Sequence, residues 1–412
     1  MADTQLPNRW GIAGSAIIMQ ICLGAVYAWS VFVKPLVALE HWTLTQVSLS
    51  FTINVFFIGV GTVIGGLWMD SAGPRKVATV GGIIYGLGYA LSSYAAAHQS
   101  LPLLYLCYGV LAGTGGGMGY ICPVATVAKW FPDKRGVMTG LAVTGYGAGA
   151  LLMGPIAARE IVSAGVPRTF LFFGVAYLVG VVATAQFYAN PPAGWKPAGW
   201  VPTTAVAKAA GTYDYTVKEA SATWQMWTLW LLLFLCVSAG IMIISQESPI
   251  AQQQAHMTPV AAGTMVGLLG IFNAFGRFFW AWVSDYVGRA RVYFLLYLIF
   301  AVIYFVLPRI NSETSLYIAL AGILLCYGGA FGVMPSFTAD YFGAKYMGGI
   351  YGWILLAWGV GGVVSPMIAH LRQSTGQYIT AFHIILGVML VSLVLPLLIR
   401  PPKGKAGVAQ AG

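Results

Sequence analysis

Gly66-Leu67-Trp68-Met69-Asp70-Ser71-Ala72-Gly73-Pro74-Arg75-Lys76 and Ala281-Trp282-Val283-Ser284-Asp285-Tyr286-Val287-Gly288-Arg289-Ala290-Arg291 place an Asp three residues before a Gly and follow it with basic residues. The two aspartates are 215 residues apart. A second pair agrees: GGGMGYICPVATVAKWF (115–131) and YGGAFGVMPSFTADYF (327–342) each carry one proline, Pro123 and Pro335, 212 residues apart. Two motifs at nearly one offset read as a duplication, so the chain is built from two copies of one unit.

Composition says what the unit is made of. Of 412 residues, 58% are apolar and 8% charged, against roughly 25% charged in a soluble domain. Apolar segments fall near 11–34, 47–69, 77–97, 102–126, 137–158, 168–189, 225–249, 260–283, 291–309, 315–338, 348–370 and 378–400, each able to cross a hydrocarbon layer of about 30 Å. The sequence therefore predicts an all-α membrane protein of twelve spans in two six-helix repeats. The expected units are 1–189, a polar linker 190–223 and 224–412 with a short tail. The run behind the N-terminus is longer than a signal-peptide core and reads as span 1.

With the N-terminus inside, fifteen of the 21 Lys and Arg lie on the cytoplasmic side and five outside (Lys34, Arg159, Arg168, Arg309, Arg372). The positive-inside rule then puts both termini in the cytoplasm, and a plasma membrane location is expected. The net charge of +10 is scattered, which excludes a nucleic-acid-binding patch. The five cysteines lie in apolar stretches without metal spacing and read as packing residues. No cofactor, metal, nucleic acid or obligate protein partner is expected, and lipid surrounds the bundle. Parallel six-helix repeats with a site between them describe a secondary transporter.

The remaining polar residues suggest where that site lies. Arg277 sits mid-span in GLLGIFNAFGRFFWAWVSD, about 12 Å of helix rise from Asp285, with no acid at similar depth to pair with it. An unpaired central cation is what a carboxylate substrate completes. Asn273 lies at i, i+4 to it on the same face. Tyr27 on span 1, Tyr120 on span 4, Tyr146 on span 5, Tyr327 and Phe331 on span 10 and Trp358 on span 11 are candidate walls, the phenols offering hydroxyls. Glu247 and His383 are candidates for carrying a proton. Asp70, Arg75, Lys76, Asp285 and Arg289 are candidate gate residues: each Asp can accept from a helix N-terminus or pair with the neighbouring cations. The 52 glycines, many inside spans, allow close helix contacts.

The Gly-x-x-x-Asp-x-x-Gly-x-Arg motif resembles that of the major facilitator superfamily over the whole chain. Within it, GAVYAWSVF on span 1, WFPDKRG after span 4 and FNAFGRFFWAWVSDYVGR on span 8 resemble the oxalate:formate exchangers and the monocarboxylate (lactate/pyruvate) transporters. The resemblance implies that Arg277 is the substrate-carboxylate partner. It places Trp358 where the exchangers carry a second cation, a lysine on span 11, which argues for a monocarboxylate rather than a dianion. It places Asn273 and Val31 where animal monocarboxylate transporters carry an Asp and a Lys, so proton coupling would fall to Glu247, His383 or water. The expected function is transport of a lactate- or pyruvate-like anion by alternating access, with a proton. The rivals are a carboxylate exchanger and a non-transporting sensor. An enzyme is not expected, because no catalytic constellation lies within the spans.

Overall fold

The computed structural model describes residues 7–40, 42–192, 194–197, 199–200, 214–363 and 378–402. All regular structure among the described residues is helical. Nine of their helical segments are long and apolar enough to cross a membrane. The longest, Arg135–Ala185, turns at Gly165 (φ 81°) and carries spans 5 and 6. Pro74–Ala97 and Met347–Gly362 supply spans 3 and 11. The others are span 2 (Leu44–Ala72), span 4 (Leu101–Trp130), span 7 (Trp224–Gln254), span 8 (Pro259–Val287), span 9 (Arg289–Val306), span 10 (Glu313–Phe342) and span 12, which begins at Ile379. Much of the expected linker, 201–213, lies outside the described residues, and a short helix, Val217–Ser221, precedes span 7.

Span 1 is not one helix. Arg9–Gly24 is α-helical, Ala25–Trp29 tightens to a 3₁₀ turn, and Ser30–Glu40 resumes the α-helix. The Tyr85 hydroxyl lies within donating distance of the carbonyls of Cys22 (3.3 Å) and Leu23 (3.4 Å) just before the change. Irregular backbone at membrane depth is tolerated where protein supplies such partners. Here the irregular turn carries Tyr27 to the centre of the molecule.

Apolar side chains such as Leu171, Phe172, Val179, Val302, Ile318 and Leu390 cover the outside of the bundle. A surface of this kind suits hydrocarbon rather than water. Repetition of the motifs is visible in the backbone, since Gly73 and Gly288 hold the same left-handed turn at φ 83° and 97°. Only glycine adopts that conformation without strain.

The repeats meet along two seams. Span 2 lies against span 11, with Gly66 facing Gly348, Thr62 facing Gly352 and Gly59 facing Gly359. Spans 5 and 8 run antiparallel in constant register, Gly136 against Asp285, Gly140 against Ala281 and Gly147 against Ala274. The next rung of that register would be Gly154 with Gly267, and a Cβ on either would meet nothing within 4 Å. The span 5–8 seam is therefore closed at the end carrying the two motif loops, called the basic end below, and open at the other.

Candidate functional site

Arg277 occupies the centre. Span 10 approaches its helix backbone to backbone: a Cβ on Gly328 would lie 2.0 Å from the Asn273 carbonyl, and one on Gly332 would lie 2.0 Å from the Arg277 carbonyl. This small-residue pair at i, i+4 fixes the depth and direction of the guanidinium. The residue is 1% exposed. Its Nε donates to Asn273 Oδ1 at 3.5 Å, and its two terminal nitrogens have no hydrogen-bond partner.

Aromatic rings enclose it. The guanidinium carbon stands 4.9 Å from the Phe331 ring centre and 5.7 Å from that of Tyr146. Trp358 is the hub of the cage, 5.4 Å from Phe331, 5.7 Å from Tyr146 and 6.2 Å from both Tyr27 and Tyr120. Tyr146 meets Tyr27 and Tyr120 edge to face at 5.5 and 5.1 Å, and Tyr327 meets Phe331 at 5.2 Å. The hydroxyls of Tyr27, Tyr120 and Tyr327 and the indole nitrogen of Trp358 are buried without a hydrogen-bond partner. All eight residues proposed for substrate binding thus converge, drawn from spans 1, 4, 5, 8, 10 and 11.

Two members escape the sequence reading. Gln20 on span 1 is fully buried, donates from Nε2 to the Tyr120 carbonyl at 3.3 Å and leaves Oε1 unpaired. Tyr351 on span 11 is buried with an unpaired hydroxyl beside Tyr120. A polar residue three turns into span 1 was the available signal for Gln20. For Tyr351, nothing separated it from the other tyrosines.

Chemically the cage is a set of donors waiting for acceptors. Buried polar groups are normally paired, and an unmade bond costs about 1–3 kcal/mol. A compact anion with a carboxylate would satisfy the guanidinium fork and reach the phenols. Among the described residues no group of three or more His, Cys, Asp or Glu is placed to hold a metal ion.

At the basic end the repeats are locked reciprocally. Asp70 Oδ2 accepts from the Gly349 amide at 2.8 Å, and Asp285 Oδ2 accepts from the Val137 amide at 3.0 Å. Spans 11 and 5 begin without any side-chain cap of their own, so each borrows a carboxylate from the opposite repeat. Arg289 pairs with Asp285 at 2.6 Å and with Asp340 at 3.0 Å, and Arg135 crosses the interface to Asp340 at 2.8 Å. Thr139 and Ser336 hydroxyls meet across it at 2.9 Å.

Of the two roles open to it, Asp70 takes the start of a helix, span 11, rather than its neighbouring cations; the rest of the first gate reading needs correction. Arg75 instead donates to the Tyr188 carbonyl at 3.3 Å within its own repeat, and Lys76 is exposed, so neither joins the lock. Arg135 and Asp340, which do join it, were not singled out in the sequence. His383 faces outward from span 12 and is exposed, away from the cage. Glu247 is buried near the open end of span 7 with Oε1 unpaired.

Comparison with known proteins matches this architecture. The chain is 27% identical over 409 residues to the oxalate:formate antiporter of Oxalobacter formigenes, covering 97% of this chain and 94% of the relative. It is 25% identical over 392 residues to monocarboxylate transporter 13 of Rattus norvegicus, covering 93% and 86%. Among solved structures, the transporter FucP in its outward conformation superposes with a TM-score of 0.73 at 15% identity, over 96% of this chain and all of that one. The relatives and the fold are those of transporters, not enzymes. The sequence profile of the Major Facilitator Superfamily matches residues 16–366 and 278–412, and the chain belongs to that superfamily.

Proposed function

We propose that the protein moves a small monocarboxylate of the lactate or pyruvate kind across the plasma membrane, together with a proton, by alternating access. The observation that carries this reading is the buried Arg277 guanidinium with both terminal nitrogens unpaired, ringed by unpaired phenols. The named activities of the relatives, an oxalate:formate antiporter and a monocarboxylate transporter, agree with a carboxylate substrate. The cage contains one cation and, at the position aligned with the exchangers' lysine, a tryptophan; one negative charge is what it can neutralise. The excess of Lys and Arg at the basic end supports a cytoplasmic placement of both termini.

The substrate anion enters from the open end, pairs with Arg277 while Asn273 holds Nε, and accepts from Tyr120 and Tyr327. Release of the Asp70 and Asp285 caps then opens the basic end. Labelled L-lactate uptake into proteoliposomes, with and without an inward proton gradient, tests this. Gradient-driven uptake is expected in the wild type and is expected to vanish in Arg277→Ala and Arg277→Lys, since an ammonium cannot reproduce the planar fork. Substantial uptake by Arg277→Ala would refute the assigned site. Uptake that needs a preloaded carboxylate and ignores the gradient would make the protein an exchanger.

A further inference from the structure

We propose that Gln20 reads the group next to the substrate carboxylate, and that it makes the cage a site for 2-hydroxy monocarboxylates in preference to 2-oxo monocarboxylates. The inference rests on the transport reading above and deepens it.

Gln20 lies on the face of span 1 that serves the cage. Gly24 follows it by one α-helical turn and Tyr27 follows Gly24 by one 3₁₀ turn, so the three share a face. Gly24 is pressed against the Tyr146 backbone, and the Gln20 Cβ stands 3.1 Å from the Cβ position of Gly145. On its other side Gln20 donates from Nε2 to the Tyr120 carbonyl at 3.3 Å. The amide is therefore wedged between the two backbones that present Tyr120 and Tyr146. Their rings meet at 5.1 Å, and the Tyr146 ring centre lies 5.7 Å from the guanidinium carbon of Arg277.

The bond to Tyr120 fixes which way the amide faces. An amide oxygen turned toward that carbonyl would meet like partial charge, so Nε2 takes the carbonyl and Oε1 is left free. The residue is fully buried and Oε1 has no hydrogen-bond partner. Tying span 1 to span 4 uses only the nitrogen, and the buried oxygen is unexplained by that role.

Its chemistry differs from that of its neighbours. The other unpaired side-chain atoms of the cage are the terminal nitrogens of Arg277, the indole nitrogen of Trp358 and the hydroxyls of Tyr27, Tyr120, Tyr327 and Tyr351. Each of these has a hydrogen to give, whereas Gln20 Oε1 can only accept. Asn273 Oδ1 is already engaged by Arg277 Nε. A carboxylate is served by the donors. A 2-hydroxy acid brings in addition one O–H, which needs an acceptor, and Gln20 supplies it. A 2-oxo acid brings a further acceptor instead and leaves Oε1 unpaired. A site built to accept a hydroxyl proton rejects an analogue that lacks it, because its own buried group then goes unsatisfied.

Competition against labelled L-lactate binding to the purified transporter at neutral pH tests this. The competitors are unlabelled L-lactate, pyruvate and 2-fluoropropionate, which keeps the shape of lactate and cannot donate. The wild type is expected to hold L-lactate about ten-fold more tightly than either analogue, as one buried hydrogen bond left unmade implies. Gln20→Met, of similar length and apolar, should weaken L-lactate by that factor and leave the two analogues within about two-fold of wild type. Gln20→Glu, held neutral by burial, still donates to the Tyr120 carbonyl and accepts with its other oxygen, and should keep the preference. Pyruvate or 2-fluoropropionate bound as tightly as L-lactate by the wild type overturns the proposal, as does a preference that Gln20→Met keeps or Gln20→Glu loses. Equal weakening of all the acids by Gln20→Met at an unchanged melting temperature assigns the amide to helix packing and overturns it too. A wild type that binds none of these acids overturns the carboxylate reading instead.

Discussion

Tyr120 and Tyr327 each bury a hydroxyl that makes no hydrogen bond of ordinary geometry, and this separates them from packing tyrosines such as Tyr293, Tyr297 and Tyr304, whose hydroxyls donate to carbonyls at 2.6–2.8 Å. An unpaired buried donor costs about 1–3 kcal/mol. Tyr120→Phe and Tyr327→Phe should therefore leave the melting temperature unchanged or raised while weakening substrate binding several-fold. Tyr304→Phe, which strands a carbonyl, should lower it. A fall in melting temperature for the two cage variants with unaltered uptake would assign them to packing. The cage was largely legible in the sequence because its members are polar or aromatic residues in spans that have few polar ones. His383 stayed an open candidate because span 12 is apolar all round, so its sequence does not tell which side faces lipid. Gln20 was passed over for the opposite reason, being an amide without charge.

Among elements, spans 5 and 11 illustrate what local sequence cannot reveal. Helix caps are ordinarily found within a few residues of the helix start, yet these two are supplied from Asp285 and Asp70, 148 and 279 positions away. The motif was legible; its partner was not, because pairing across repeats depends on how the halves pack. Each cap is worth about 0.5–2 kcal/mol. Asp70→Ala and Asp285→Ala should both shift the population toward an open basic end. In a background without native cysteines, Thr139→Cys, buried in the wild-type lock, should then react faster with a water-soluble maleimide. Equal labelling rates with and without the caps would show that they do not hold the interface. The break in span 1 was equally invisible beforehand, since Ala25–Trp29 is as apolar as its flanks and the close approach of Gly24 to the Tyr146 backbone just before it is a contact between distant segments.

At the scale of the whole molecule, twelve spans and a two-fold repeat followed from composition and two short motifs. The state of the carrier did not, because one sequence serves every state of the cycle. The span 5–8 seam makes a prediction about the unseen one. Cysteines at positions 154 and 267 should be joined by a short bifunctional reagent when the outer end shuts, with substrate and a gradient promoting the link. Linked protein should carry nothing. Failure to link under turnover would mean that the helices slide as well as tilt. If they only tilt, the seam works as a rocker on a toothed rail: Gly154 meets Gly267 as Gly136 leaves Asp285, one tooth gained for each tooth lost. The teeth are not equal, because the basic end adds two borrowed caps and the Arg135–Asp340 pair, so a ligand tips the rail only by favouring the other position by more than those contacts are worth.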